Sequence, residues 1–139
     1  MERKIYLSGG MTGLDRDAYV KWRTRFKKAV TITYDKHPSF FDPTLFYQPD
    51  ANLHISEREV MDYELDQLRK SDLVVVNFNS PQSIGTAMEL AIARERKIPV
   101  IGLNETGNPL HPWLSECCIR VCASFRELVE YVVEYYLYD

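Results

Sequence analysis

The sequence predicts an α/β protein: one doubly wound, Rossmann- or flavodoxin-like parallel sheet flanked by helices. Three observations carry this. The runs Leu73–Asn77 (LVVVN) and 97–103 (KIPVIGL) are apolar and rich in β-branched residues, as strands covered on both faces are. Helical patterns separate the apolar runs, so strand and helix alternate. A glycine pair, Gly9-Gly10, directly follows the first run, where a tight strand-to-helix turn with close ligand approach is expected. A chain of 139 residues fits one domain, residues 1–139.

The elements follow in order. Lys4–Ser8 (KIYLS) reads as the first strand. From Asp15 to Val30, Tyr19, Trp22, Phe26 and Ala29 recur at helical spacing with basic residues between them, predicting an amphipathic helix whose aromatic face serves as core. Thr31–Tyr34 is a candidate strand. The Pro- and aromatic-rich stretch from Asp35 to His54 reads as an ordered loop, either covering a site or simply burying Phe40, Phe41 and Phe46. Ser56 with Glu59 three residues on forms a capping-box pattern for a helix ending near Lys70-Ser71, with Val60, Met61, Leu65 and Leu68 as its apolar face. Strand Leu73–Asn77, loop Asn79–Gly85, helix Thr86–Glu95, strand Lys97–Leu103, a polar loop and a helix from Phe125 to Leu137 complete the chain.

The formal net charge of −3 argues against a broad basic face, hence against a nucleic acid polymer as partner, but leaves room for a small phosphorylated ligand. No apolar run is long enough to span a bilayer and no secretory h-region is present, so a cytoplasmic protein without membrane association is expected. Cys117, Cys118 and Cys122 are an odd, clustered set, which disfavours a disulfide framework; with His111 alone nearby, a structural role is expected and no metal site.

In such sheets ligands bind outside the carboxyl ends of the strands. Two loops fall there, Ser8–Gly13 and Asn77–Gly85. In SIGTAMEL, Ser83, Gly85 and Thr86 lie where a helix N-terminus presents unpaired N–H groups, either as a capped helix start or as a phosphate cradle. Glu89 follows on an otherwise apolar helix, pointing either to solvent or into a site. Glu64 and Asp66 on the preceding helix, and Asp72 at the strand start, could bring a second carboxylate. A carboxylate pair in a partly dry pocket suits glycosidic chemistry. Asp72 has an equally good structural role.

KIYLSGGMTG, ELDQLRKSDLVVVN and SIGTAMELAIA followed by KIPVIGL together resemble the nucleoside 2-deoxyribosyltransferase-like superfamily, over most of the chain from Lys4 to about Leu103. The superfamily includes free-nucleoside transferases and 2′-deoxynucleoside 5′-monophosphate N-hydrolases. The resemblance implies Glu89 as the nucleophile at C1′ of the sugar, forming a covalent glycosyl intermediate. It places Tyr6 beside that glutamate and the Gly9–Gly13 loop around base and sugar. Glu64 stands where the family has an aspartate that assists the departing base, eight residues before Asp72. The transferases carry an aspartate, the hydrolases a serine, shortly before the glycine of this helix. Ser83 here implies a 5′-monophosphate, since a carboxylate would repel it. Tyr19 matches a ligand-bordering tyrosine. Trp113 and the tyrosine-rich tail are candidate interface anchors or internal packing.

The expectation is cleavage of the N-glycosidic bond of a 2′-deoxynucleoside 5′-monophosphate, by hydrolysis or base exchange, with no metal or organic cofactor. Glu89, Glu64 and Tyr6 would be catalytic. Ser8, Gly9, Gly10, Met11, Tyr19, Ser83 and Gly85 would bind the substrate, a small nucleotide or nucleoside, in a homo-oligomer (dimer or higher). Arg16 and Lys21 could add phosphate contacts or be solvated helix charges. The alternatives are a free-nucleoside deoxyribosyltransferase and a non-catalytic nucleotide-binding module. An NAD enzyme is disfavoured because Ser8–Gly13 is not GxGxxG.

Overall fold

The computed structural model describes residues 2–11, 15–48, 51–52, 56–80 and 83–138. Five strands form one all-parallel sheet: β1 (Lys4–Gly9), β2 (Ser39–Phe41), β3 (Leu73–Asn77), β4 (Val100–Leu103) and β5 (Arg120–Cys122). Their order is β2-β1-β3-β4-β5, the flavodoxin-like arrangement. Five α-helices flank it: α1 (Arg16–Lys28), α2 (Glu57–Arg69), α3 (Ile84–Glu95), α4 (Pro112–Glu116) and α5 (Phe125–Tyr136). A two-stranded antiparallel ladder pairs Tyr47–Gln48 with Ala51–Asn52.

Alternation along the strands sorts the core into two halves. Ile5, Leu7, Leu73, Val75, Ile101 and Leu103 face α1 and α5, meeting Phe26, Val30, Leu128 and Val132. Tyr6, Val74, Val76 and Val100 face α2 and α3, meeting Leu65, Leu68, Leu90 and Ala93. A strand enclosed on both faces calls for a near-continuous apolar run, which Leu73–Val76 supply, and LVVVN is buried throughout.

Two helix starts follow from sequence. Ser56 Oγ accepts from Glu59 N–H at 3.2 Å, the expected cap of α2. Ser83 caps α3 in the same way, so α3 begins at Ile84, two residues before the expected Thr86. Lys97, at φ 59°, takes the left-handed conformation that ends α3, and β4 starts only at Val100.

Three expectations are corrected. Thr31–Tyr34 is not a strand: α1 runs on through a π-helical turn, Ala29–Thr33, which buries only Val30 and leaves Ile32 exposed. The strand lies within the stretch expected as loop, at Ser39–Phe41, where Phe41 stacks on Tyr6 with ring centroids 5.2 Å apart. The polar loop before the last helix holds α4 and β5. Both are too short for a periodic signal, and β5 exposes Arg120 at the sheet edge. The side chain of Phe46, residues 53–55 and loop residues 12–14 lie outside the described residues.

Gly102 of β4 is required by packing. A Cβ there would stand 2.6 Å from Cε2 of the buried Phe78 ring and 3.1 Å from its Cδ2. Gly102→Ala therefore overpacks the core and is expected to destabilise the protein by about 1–3 kcal/mol. Urea denaturation checks this, and an unchanged midpoint at unchanged slope would contradict the contact.

Candidate active site

The site forms at the carboxyl ends of β1 and β3. Alternation puts Tyr6 and Ser8 of β1 on the face that packs against α2 and α3. On α3 the buried residues Thr86, Leu90 and Ala93 mark the inward stripe, and Glu89 lies at its edge. On α2, Glu64 falls one turn after Val60 and one turn before Leu68, both buried. Between the two helices is a cavity of about 230 Å³, walled by Met61, Leu65, Ile84 and Met88, with Glu64, Glu89 and Gly85 on its lining. The three expected catalytic residues thus come together from three elements.

Polar groups here are poorly satisfied by the protein. Among the described residues, Tyr6 Oη, Ser8 Oγ and Glu89 Oε2 are each buried and without a hydrogen-bond partner. Both hydroxyls stand close enough to Glu89 to favour its ionised form, but they stop short of hydrogen-bond geometry. Leaving such groups unpaired costs about 1–3 kcal/mol each. Burial pushes the Glu89 carboxyl up to about 7, and Glu64 adds to the rise, while Tyr6, Arg23 and Ser8 oppose it. Burial, then the charges of Glu89 and Glu64, push the Tyr6 phenol far above its ordinary value, so it stays a neutral donor.

Ser83 is the cap of α3: its Oγ accepts from Thr86 N–H at 3.1 Å and shares a 2.9 Å hydrogen bond with Thr86 Oγ1. The capped-start reading of this segment therefore holds. Gly85 leaves open space beside it: a Cβ there would meet only Ser83 Oγ, at 4.0 Å. Gly9 is held more tightly. A Cβ would lie 3.3 Å from Trp22 Cζ2 and 3.4 Å from the Asn77 carbonyl oxygen, so glycine lets α1 approach the end of β1. Gly10 is buried and Met11 half-buried at the same edge. Tyr19, half-buried on α1, offers its carbonyl to Arg23.

The other candidate carboxylates are not in the site. Asp66 is exposed and pairs with Lys70 at 2.8 Å. Asp72 sits at the opposite edge of the sheet, where its carboxylate accepts from the Lys4 N–H at 2.9 Å and its own N–H donates to the Lys4 carbonyl at 2.8 Å. Lys21 is exposed. His111 caps α4, its Nδ1 accepting from Trp113 N–H at 3.2 Å, and Trp113 is largely exposed. Cys117, Cys118 and Cys122 are free thiols; burial pushes Cys118 up to about 12 and Cys122 up to about 11, so neither is an activated nucleophile. Among the described residues no group of metal-ligating side chains could hold an ion, and no helix is long and apolar enough to cross a membrane. A second cavity of about 270 Å³, bordered by Glu2, Asp35, His37 and Tyr138, lies at the amino ends of the strands, away from the expected binding edge.

Sequence reasoning missed Arg23. Its side chain is about 1% exposed and lies 3.8 Å from Asp42, itself buried. Breaking such a pair by removing one partner typically costs about 3–5 kcal/mol. Burial works against the Asp42 carboxylate, yet hydrogen bonds from Lys27 and Thr44 hold it below its ordinary value. The signal was present: Tyr19, Arg23, Phe26 and Val30 share one helical stripe, and the last two are fully buried.

The raised Glu89 carboxyl makes a stability prediction. Below pH about 4.5 the group is protonated in both folded and unfolded chains. Between about 4.5 and about 7 the unfolded chain loses its proton first, so stability falls as pH rises; above about 7 the penalty is constant. Glu89→Gln should therefore be more stable than the parent at pH 8, by on the order of 2–3 kcal/mol, with the difference vanishing below pH 4. Denaturant titrations at both pH values check this; an equal difference at both would contradict it.

Comparison with solved structures shows the fold. A conserved protein from Enterococcus faecalis V583 superposes with a TM-score of 0.76 at 17% identity, covering 96% of this chain and 99% of that one. A 2-deoxyribosyltransferase from Bacillus psychrosaccharolyticus gives 0.70 at 18% identity, covering 92% and 91%. A CMP N-glycosidase from Clostridium botulinum gives 0.60 at 15% identity, covering 96% and 100%. The deoxyribosyltransferase-like parallel α/β fold is therefore shared. No curated protein matches the sequence. Residues 3–102 match the family model described as a domain of unknown function (DUF4406), and the chain belongs to that family.

Proposed function

We propose that this protein cleaves the N-glycosidic bond of a 2′-deoxynucleoside 5′-monophosphate, by hydrolysis or base exchange, through a covalent glycosyl intermediate on Glu89. One observation carries the reading: a desolvated carboxylate, Glu89, lies among two unpaired hydroxyls, with a second carboxylate, Glu64, on the same cavity. A structural carboxylate would be hydrogen-bonded or exposed. Two enzymes with this fold, a 2-deoxyribosyltransferase and a CMP N-glycosidase, are named for sugar–base chemistry, which supports the same class here.

The ionised carboxylate of Glu89 attacks C1′, and a C1′–O bond forms as the C1′–N bond breaks. The bonding electrons leave on the base nitrogen, which takes a proton relayed from solvent by Glu64. Water, or a second base, then attacks C1′ and releases the Glu89 carboxylate, while Glu64 takes the displaced proton. The neutral Tyr6 phenol and the Ser8 hydroxyl stand beside Glu89 and favour its ionised form. Gly9, Gly10, Met11 and Tyr19 border sugar and base. The N-terminus of α3, with Ser83 and the bare Gly85, receives the phosphate. No metal or cofactor has a step in this scheme. Exposed Ile84, Met88 and Met61 beside the cavity, and exposed Trp113, suit burial by a second copy in a homo-oligomer.

Each 2′-deoxynucleoside and its 5′-monophosphate should be incubated with the protein, with and without an acceptor base, and free base measured. Release should rise as pH passes about 7 and Glu89 ionises. Glu89→Ala should abolish it. Ser83→Asp keeps a competent helix cap, so folding is preserved, but like-charge repulsion should cut the preference for monophosphate over nucleoside at least about tenfold. Activity surviving Glu89→Ala would remove the nucleophile from the scheme. Unchanged preference in Ser83→Asp would move the phosphate elsewhere. Tight binding without release from any substrate would favour the binding module.

A further inference from the structure

The sheet has a gap beside the site, and one buried cation fills it. β2 pairs with β1 only as far as Tyr6↔Phe41, whereas β3 pairs with β1 through Gly9↔Asn77. In a parallel ladder alternate carbonyls point to opposite neighbours. The Arg3 carbonyl accepts from Ser39 of β2 and the Lys4 carbonyl from Asp72, just before β3. By the same alternation the Leu7 and Gly9 carbonyls point to the β2 side, where the strand has already ended.

Arg23 reaches these carbonyls from α1. Its Nε donates to Leu7 O and its Nη2 to Gly9 O, both at 3.3 Å, while Nη1 donates to Tyr19 O at 2.6 Å. Asp42, the first residue past β2, anchors the guanidinium and is itself held by Lys27 at 2.8 Å. Ser8 lies between the two carbonyls, and Tyr6 precedes them.

We propose that Arg23 is the positioning residue of the site: its guanidinium replaces the strand that β2 does not supply, holds the end of β1 so that Tyr6 and Ser8 face Glu89, and places a positive charge behind that carboxylate. The charged and titratable groups facing the pair come from every neighbouring element: Tyr6 from β1, Asp42 after β2, Lys27 from α1, Glu64 from α2 and Glu89 from α3. A planar fork suits two carbonyls on one strand edge, and a single ammonium does not. The effect on catalysis rests on the reading of Glu89 as nucleophile; the effect on the Glu89 carboxyl does not.

The test therefore has two readouts. Glu89 is followed directly by carbon-detected NMR titration of protein labelled in its glutamate carboxyls, its signal assigned by loss in Glu89→Gln, alongside the pH profile of base release. Arg23→Met removes charge and fork. It should raise the Glu89 midpoint by about one pH unit or more, move the acid limb of kcat/KM up with it, and lower kcat at pH 6.5 at least about tenfold. Arg23→Lys keeps the charge and loses the fork. It should leave the Glu89 midpoint near the parent value while lowering kcat about tenfold at little change in KM. If Arg23→Met does not fold, Arg23→Lys decides alone, and parental kcat in that variant overturns the proposal. An unmoved Glu89 midpoint in folded Arg23→Met overturns it as well. A midpoint that moves in Arg23→Met while the parent releases no base from any substrate sustains the role of Arg23 and defeats the nucleophile reading.

Discussion

The carboxylate of Glu89 is held at the edge of an apolar helix face with its Oε2 buried and unpaired among the described residues, and the architecture around it follows from that constraint. Desolvation raises its proton affinity, Glu64 raises it further, and two nearby hydroxyls and a buried guanidinium pull it back. The three unpaired atoms of Tyr6, Ser8 and Glu89 together cost several kcal/mol at about 1–3 each. That is a substantial part of the roughly 5–15 kcal/mol by which a domain is stable. A fold retains such a cluster where it serves a ligand, because strain and unsatisfied polarity concentrate at functional sites.

The sheet supplies what the cluster needs. β1 and β3 are buried on both faces, so their ends are rigid platforms, and the order β2-β1-β3-β4-β5 opens their carboxyl ends toward the loops. α2 and α3 lie on the face to which Tyr6 and Ser8 point, and each contributes one carboxylate. α1 lies on the other face and contributes the countercharge. Packing of α1 depends on Gly9, whose missing side chain leaves room for Trp22 and Arg23. The guanidinium of Arg23 stacks within 4.7 Å of the Trp22 ring centroid, which adds to the fixing of its plane.

How much was legible in the sequence depended on the length and symmetry of each signal. LVVVN and VIGL announce buried parallel strands because they are apolar runs rich in β-branched residues, and the capping serines of α2 and α3 mark helix starts by a local hydrogen bond. β2 and β5 escaped because three residues carry no period, and TITY misled because alternation in an exposed turn mimics a strand. Within the site, Glu89 stood out as a carboxylate on an otherwise apolar helix, whereas Tyr6 and the role of Glu64 were reached only through the family resemblance; the side to which Tyr6 and Ser8 point follows from alternation on β1 once the sheet is built. Asp72 could be separated from the site only by the sheet, which puts it at the amino ends of the strands. Arg23 was hidden by the habit of basic residues on amphipathic helices to face solvent; its burial depends on Asp42 and on two strand carbonyls distant in sequence.

The central claim, that Glu89 forms a bond to the sugar, is tested most directly by trapping that bond. A 2′-fluoro-arabino nucleoside 5′-monophosphate destabilises the oxocarbenium-like transition states of both steps and, where the base leaves readily, lets the glycosyl intermediate accumulate. Intact-protein mass spectrometry after incubation should show the added mass of one fluorosugar phosphate, peptide mapping should place it on Glu89, and Glu89→Gln should remain unmodified. Base release from the ordinary substrate with the adduct on another residue, or with equal labelling of Glu89→Gln, would contradict the account.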